Sequence, residues 1–267
     1  MLYLVSTPIG NLDDFSFRAV QVLKDCSLIL CEDTRHSRTL MQRYDISTPL
    51  KSYHKFNEAS RENEVLQLLE SGQEIALLSD AGTPGICDPG EALVQLCRER
   101  GVEVQSIPGA AAFLQALVCS GLKTSPFQFL GFLPKKDGER KRALWTALHY
   151  EGSSVFYESP HRIVETLDFL HELAPECRCA IAREISTKFE QHLLGTPLQV
   201  KSELKEVRGE FVLLLEGCPS SLWDDLPPLE HIKSLEKALG IGKKEAIRLV
   251  ADLRGLNRRE LYKESNS

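Results

Sequence analysis

The sequence predicts an α/β protein with a parallel-sheet N-terminal domain, a mixed-sheet second domain and a small C-terminal helical unit. Three observations lead there. Apolar strand-like runs alternate with amphipathic helical patterns up to about residue 120. Three of those strands run into loops built from glycine, proline and small residues. Residues 226–267 show helical periodicity without any strand pattern.

In chain order, the spacing predicts a strand over residues 2–5, a helix over 16–24, a strand over 27–30, and helices over 35–44 and 61–71. A strand over 75–78, a helix over 89–100, a strand over 104–107 and a helix over 110–120 complete the first domain, residues 1–120. Strands separated by helices imply a parallel sheet covered on both faces. The Gly/Pro-containing stretch 121–126 reads as a hinge. A second domain over 121–218 has strands at 127–132, 154–157, 179–183, 188–195 and 210–216, with helices over 137–149, 161–173 and 198–206. The return from 180–184 to 188–193 suggests an antiparallel pair, hence a mixed sheet. A polar, proline-containing linker at 218–228 precedes residues 226–267, where apolar positions broken by Gly240, Gly242 and Gly255 predict three short helices resembling a helix-turn-helix unit.

The loop Ser79-Asp80-Ala81-Gly82-Thr83-Pro84-Gly85-Ile86-Cys87-Asp88-Pro89-Gly90 follows the strand at 75–78. Its three glycines allow a ligand close approach to the backbone, at the strand end where open α/β sheets bind small molecules. Ser6-Thr7-Pro8-Ile9-Gly10-Asn11-Leu12 and Pro108-Gly109-Ala110-Ala111-Ala112 repeat the arrangement, which points to one shared crevice. Neither common nucleotide fingerprint is present. Gly240-Ile241-Gly242-Lys243-Lys244 follows no strand and has a lysine where a phosphate loop needs Ser or Thr, and no Gly-x-Gly-x-x-Gly follows the first strand.

Composition narrows the class. The chain has 267 residues, 42% apolar and 26% charged, with no apolar run long enough to span a bilayer and no basic segment before the first apolar run, so a cytoplasmic protein is expected. Eight scattered cysteines without a Cys-x-x-Cys pair read as reduced thiols, with no metal site. The net charge of −6 excludes a generally polycationic surface. Two segments are nevertheless basic: 135–142 carries five cations against two acids, and 231–263 carries nine against four. A solvated helix face and local phosphate contact both explain such clusters.

The motifs Thr7-Pro8-Ile9-Gly10-Asn11-Leu12, Glu32-Asp33-Thr34-Arg35, Ser79-Asp80-Ala81-Gly82-Thr83-Pro84, Asp88-Pro89-Gly90, Pro108-Gly109, Gly131-Phe132-Leu133-Pro134, Tyr157-Glu158-Ser159-Pro160-His161-Arg162, Ala182-Arg183-Glu184 and Gly209-Glu210 together resemble the tetrapyrrole (corrin/porphyrin) methylase superfamily. Within it, the chain is most similar to the bacterial enzymes that 2'-O-methylate the ribose of a cytidine in 16S ribosomal RNA. The resemblance implies a two-domain fold that holds S-adenosylmethionine between its domains, and a homodimer acting on 16S rRNA, in the 30S subunit. Carried onto matching positions, it implies cofactor contacts at Ile9, Asp80, Gly82, Thr83, Pro108, Gly109, Ala111, Ala112, Tyr157, Ala182 and Glu210. The run Ala110-Ala111-Ala112-Phe113 departs from the second proline common in relatives, which leaves individual contacts in that loop open.

Methyl transfer to a ribose hydroxyl needs an in-line approach and an acceptor for the hydroxyl proton. Asp33 or Glu158 is the expected proton acceptor, and Arg35, Arg162, Arg183 and Lys188 are expected on the substrate side. A structural ion pair between Arg183 and Glu184, and a helix start at Arg162, are the competing explanations. Two other functions stay open: methylation of a small tetrapyrrole, and noncatalytic RNA binding through the basic tail. The first needs no cationic appendage; the second leaves three ligand-like loops without a ligand.

Overall fold

The computed structural model describes residues 1–217 and 226–266; most of the linker expected at 218–228, with Cys218, lies outside the described residues. The described residues divide into two compact units, Met1–Gln115 with Ile185–Phe189, and Ala116–Glu184 with Glu190–Ser267.

The first unit contains strands β1 (Leu2–Val5), β2 (Leu28–Cys31), β3 (Leu50–Ser52), β4 (Ile75–Leu78) and β5 (Val104–Ile107), all parallel, in the order β3-β2-β4-β1-β5. Helices α1 (Phe17–Asp25), α2 (Thr34–Arg43), α3 (Glu58–Glu70), α4 (Glu91–Glu99) and α5 (Ala112–Cys119) follow in the chain, the last of them crossing into the second unit at Ala116. Strand alternation sorts the core by face. Ile29, Cys31, Ala76 and Leu78 pack with Ala19 and Leu23 of α1 and Leu40 and Met41 of α2. Leu30, Ile75 and Leu77 pack with Val65, Leu66 and Leu69 of α3 and Leu93 and Cys97 of α4. Each fully buried Leu or Ile contributes about 2 kcal/mol from removal of apolar area from water. β4 is buried along its whole length because it lies at the sheet centre with helices on both faces.

The chain leaves β1 toward β2 on one side and leaves β4 toward β5 on the other. Their helices α1 and α4 cover opposite faces. The adjacent strands β1 and β4 thus form the topological switch point, where the loops after the strands splay apart and leave a crevice.

The second unit contains β6 (Phe127–Phe132), β7 (Ser153–Glu158), β8 (Cys179–Arg183), β9 (Gln191–Gly195) and β10 (Phe211–Glu216), ordered β6-β7-β10-β8-β9. β6 and β7 are parallel, and the other pairings are antiparallel, which bears out the mixed sheet. β9 starts at Gln191 rather than 188, because Ile185–Phe189 departs into the first unit, where Ser186 Oγ donates to Asp14 at 2.7 Å. Helices α6 (Asp137–Leu148), α7 (Ile163–Leu173) and α8 (Pro197–Glu203) share one core with the C-terminal helices α9 (Pro228–Leu239), α10 (Lys243–Arg254) and α11 (Arg258–Glu264). Gly240 and Gly255 end α9 and α10 in the left-handed conformation, at φ 62° and 63°. Burial pushes the thiols of Cys26 and Cys179 up to about 11 and about 12, so both stay protonated at neutral pH. Among the described residues no helix is long and apolar enough to cross a membrane.

His231 on α9 is fully buried, and its Nδ1 accepts from Arg254 Nε at 3.2 Å, a bond that requires a neutral ring. Burial, and then the Arg254 charge, push its pKa down to about 4. A histidine depressed on folding contributes stability above its ordinary pKa near 6.5, and that stability is lost as pH falls through 4. Urea unfolding of the wild type should therefore lose about 2 kcal/mol more between pH 7 and pH 4.5 than unfolding of His231→Gln, which cannot titrate. Equal losses would show that the histidine is not buried neutral.

Candidate functional site

The carboxyl ends of all five parallel strands lie on one edge of the first sheet, and the three loops singled out by sequence are joined there by hydrogen bonds. Thr7 and Gly82 form an isolated antiparallel bridge, with Thr7 N–H donating to Gly82 O at 2.8 Å and Gly82 N–H to Thr7 O at 3.1 Å. Thr7 Oγ1 also donates to Ser79 O at 3.2 Å, and Ser79 Oγ donates to Gly82 O at 2.9 Å. The β5 loop joins through hydroxyls: Thr83 Oγ1 donates to Ala110 O at 3.1 Å and lies 2.9 Å from Ser6 Oγ. Gly109 closes against β1, since a Cβ there would lie 2.7 Å from Ser6 Cβ and 3.2 Å from Ser6 O. Gly82 needs its missing side chain for conformation rather than space, at φ +83°.

Asp80 links this set to β2. Its Oδ1 accepts from Asp33 N–H at 3.2 Å, and Oδ2 has no partner among the described residues. Ala111 and Ala112 are half-buried and Pro108 and Gly109 exposed, so backbone at the end of β5 is reachable past small side chains. A cavity of about 280 Å³ lined by Thr7, Pro8, Leu12, His36, Ser79 and Asp80 opens beside these loops. Ile9, Asp80, Gly82, Thr83, Pro108, Gly109, Ala111 and Ala112 are thus gathered at one end of the first unit.

Asp33 caps α2, its Oδ1 accepting from Arg35 N–H at 2.8 Å, while the Arg35 guanidinium holds both carboxylate oxygens at 3.1 and 2.8 Å. These bonds hold its carboxyl well below the usual carboxylate range. The Arg35 side chain is 88% exposed. Lys188 is also exposed, with Nζ 4.9 Å from the Phe189 ring.

Sequence reasoning missed β3 and the polar turn after it. Asn57 accepts from His54 N–H at 2.8 Å and donates through Nδ2 to His54 Nε2 at 3.1 Å, while Arg61 donates to Ser52 Oγ at 3.4 Å. Lys55 Nζ donates to Cys87 O at 2.9 Å, beside a second cavity of about 460 Å³ that includes Asp88. The His54-x-x-Asn57 spacing was the available signal, since an Asn three residues on can close a turn onto its own backbone.

In the second unit, Tyr157, Val212 and Ala182 lie in register across β7, β10 and β8. Tyr157 is edge-on to Phe129 and Phe132, with centroids 5.0 and 5.3 Å away. Glu210 immediately precedes β10; its N–H donates to Glu184 Oε1 at 3.1 Å and Glu184 N–H donates back to Glu210 O at 3.2 Å. This reciprocal contact holds Glu184 left-handed at φ 51°, a conformation non-glycine residues seldom adopt. It also requires Gly209, where a Cβ would lie 1.8 Å from the Glu184 carboxylate.

Three charged residues expected to act on substrate are engaged within the unit. Glu158 is buried, with Oε1 accepting from Ser159 N–H at 2.7 Å and pairing with Arg162 at 2.6 Å, and Oε2 accepting from Thr166 at 2.9 Å. Arg162 donates further to Pro134 O at 3.0 Å, and Arg183 is buried with NH1 on Glu206 O at 2.6 Å. The basic run at 135–142 is largely neutralised: Arg140 is buried between Asp137 and Glu165, Lys136 pairs with Glu139, Lys141 with Glu172 and Arg142 with Glu245.

The model of the family described as "Tetrapyrrole (Corrin/Porphyrin) Methylases" matches residues 1–200. A "Ribosomal RNA small subunit methyltransferase I" of Halalkalibacterium halodurans is 41% identical, over 98% of this chain and 93% of that protein. A protein of the same name from Synechocystis is 42% identical, over 99% and 97%. Among solved structures, uroporphyrin-III C-methyl transferase from Thermus thermophilus complexed with S-adenyl homocysteine is similar at a TM-score of 0.56, 20% identity, and 80% and 96% coverage.

The engagement of Glu158 generates a prediction. Glu158→Gln leaves the Arg162 guanidinium without its buried counter-charge and should lower unfolding free energy by about 3 kcal/mol, read by urea unfolding. A variant that keeps full stability yet loses turnover would instead make Glu158 a proton acceptor.

Proposed function

The chain belongs to the tetrapyrrole (corrin/porphyrin) methylase family, and from that premise we propose that it transfers a methyl group from S-adenosylmethionine to the 2'-hydroxyl of a cytidine ribose in 16S ribosomal RNA. One observation carries the choice of substrate. The family model ends at residue 200, whereas relatives named for small-subunit ribosomal RNA match 98% and 99% of the chain, the C-terminal helices included. A tetrapyrrole substrate gives no reason for that continuous match.

The pinned loops of the first unit fit the cofactor. The unpartnered Asp80 Oδ2 suits an ammonium or hydroxyl group, and the small residues at Gly109, Ala111 and Ala112 admit backbone hydrogen bonding to an adenosyl moiety. Ile9, Gly82, Thr83 and Pro108 complete this set, and Tyr157, Ala182 and Glu210 are proposed as contacts from the second unit. Bound S-adenosylmethionine supplies an electrophilic methyl on a sulfonium. The protein's part is to position the ribose and receive its proton. Asp33 is the better-placed acceptor, since its carboxylate is partly exposed whereas that of Glu158 is buried and paired with Arg162. Its low pKa makes it a weak base, but a hydroxyl oxygen becomes strongly acidic as it donates electrons to carbon, so a weak base suffices at that stage. Exposed Arg35, oriented by Asp33, and exposed Lys188 offer cations to phosphate, while Arg162 and Arg183 act by holding their loops. The same resemblance supports a homodimer working in the cytoplasm on the 30S subunit.

Incubation with tritiated S-adenosylmethionine and undermethylated 30S particles, with tetrapyrrole precursors in parallel, tests this. Label is expected in RNA, at one cytidine whose 3' linkage resists alkaline cleavage. Label in a tetrapyrrole alone would overturn the substrate and leave the family unchanged.

A further inference from the structure

The C-terminal helices carry a groove that the transfer chemistry does not use. It has a volume of about 540 Å³, lies between α10 and α11, and is floored by the buried Ile247. Its walls are Lys244, Arg248, Arg258, Arg259 and Lys263, with Tyr262 42% exposed among them and no acidic residue in the lining. We infer that this groove is a binding site for a single-stranded RNA segment, with Tyr262 stacking on a base and the cations of both helices holding the flanking phosphates; this rests on the RNA substrate proposed above.

Lys244 and Arg248 are four residues apart on α10, and Arg259 and Lys263 are four apart on α11. Like charges at that spacing face each other on a helix and repel, costing stability rather than adding it. Two such pairs converge on one groove, so the arrangement suits a polyanion. The intramolecular anions nearby satisfy only part of it. Asp252 takes Arg258 through both oxygens at 2.6 and 2.8 Å, and Glu245 reaches Arg248 at 3.7 Å while already bonded to Arg142 at 2.9 Å. No ion pair reaches the side chains of Lys244 or Arg259 among the described residues. A half-exposed aromatic ring and a cationic rim are the two components of a sequence-tolerant single-strand site, and both are present here. Both helices are fixed on a shared core through Ala246, Val250 and Leu261, so the groove exists before ligand arrives.

The test uses the full chain and a fluorescein-labelled single-stranded RNA 12-mer of mixed sequence, followed by anisotropy over a salt series, together with methyl transfer to undermethylated 30S particles. Lys244→Ala combined with Arg259→Ala should flatten the slope of log affinity against log salt by about 1.4, at roughly 0.7 per phosphate contact on a single strand. Tyr262→Ala should weaken binding about tenfold, and Tyr262→Phe should restore it, because stacking needs the ring and not the hydroxyl. On 30S particles the same variants should raise KM and leave kcat unchanged. Wild-type affinity and slope in the double variant would overturn the site. So would a change of oligomeric state in Tyr262→Ala with RNA binding intact, which would assign the groove to a second copy. Absence of any methyl transfer by wild type, with oligonucleotide binding that still depends on Tyr262, would overturn the proposed reaction and keep the groove.

Discussion

The loop-bearing end of the first unit depends on one constraint: the loops after β1, β4 and β5 are tied to each other by hydrogen bonds. The Thr7–Gly82 bridge supplies two backbone hydrogen bonds, and the Ser6–Thr83–Ala110 chain supplies two through hydroxyls. Loops of this composition would otherwise sample many conformations, because glycine carries the largest backbone entropy to lose on ordering. Tying them during folding moves that cost out of the binding step. The sheet order makes the tie possible, since it places β1 beside both β4 and β5.

The second unit follows a different rule. Its loops are held by charge: Glu158 with Arg162 and Thr166, Arg183 on the Glu206 carbonyl, and Glu184 exchanging hydrogen bonds with Glu210. Removing Glu158 or Arg162 leaves its partner's charge unpaired, so these two residues tolerate substitution poorly whether or not they touch a ligand. Exposed Lys188, and Lys244 and Arg259 in the groove of α10 and α11, are where cations stand without such neutralisation among the described residues.

Much of this was legible in the sequence. The strand-helix alternation gave the parallel sheet, and the Gly/Pro loops marked the edge where its loops are joined, because periodicity and turn chemistry are local properties. β3 was missed because Leu50-Lys51-Ser52 is a three-residue edge strand with one unambiguous apolar position. The roles of Glu158, Arg162 and Arg183 were not readable, since a buried ion pair and a catalytic carboxylate use the same residue types. The pairing of the basic run at 135–142 was not readable for a related reason. Locally it shows only Asp137 and Glu139, whereas Glu165, Glu172 and Glu245 come from distant helices to neutralise it.

The central claim is that hydroxyl contacts between loops, rather than direct ligand contacts alone, set cofactor affinity. A double-mutant cycle with Ser6→Ala and Thr83→Val, read by calorimetric titration of S-adenosylmethionine, tests it most directly. Each single change should weaken binding, and the pair should weaken it by about 1 kcal/mol less than the sum, because the second substitution removes a contact already broken. Strictly additive losses, or wild-type affinity in the double variant, would contradict it.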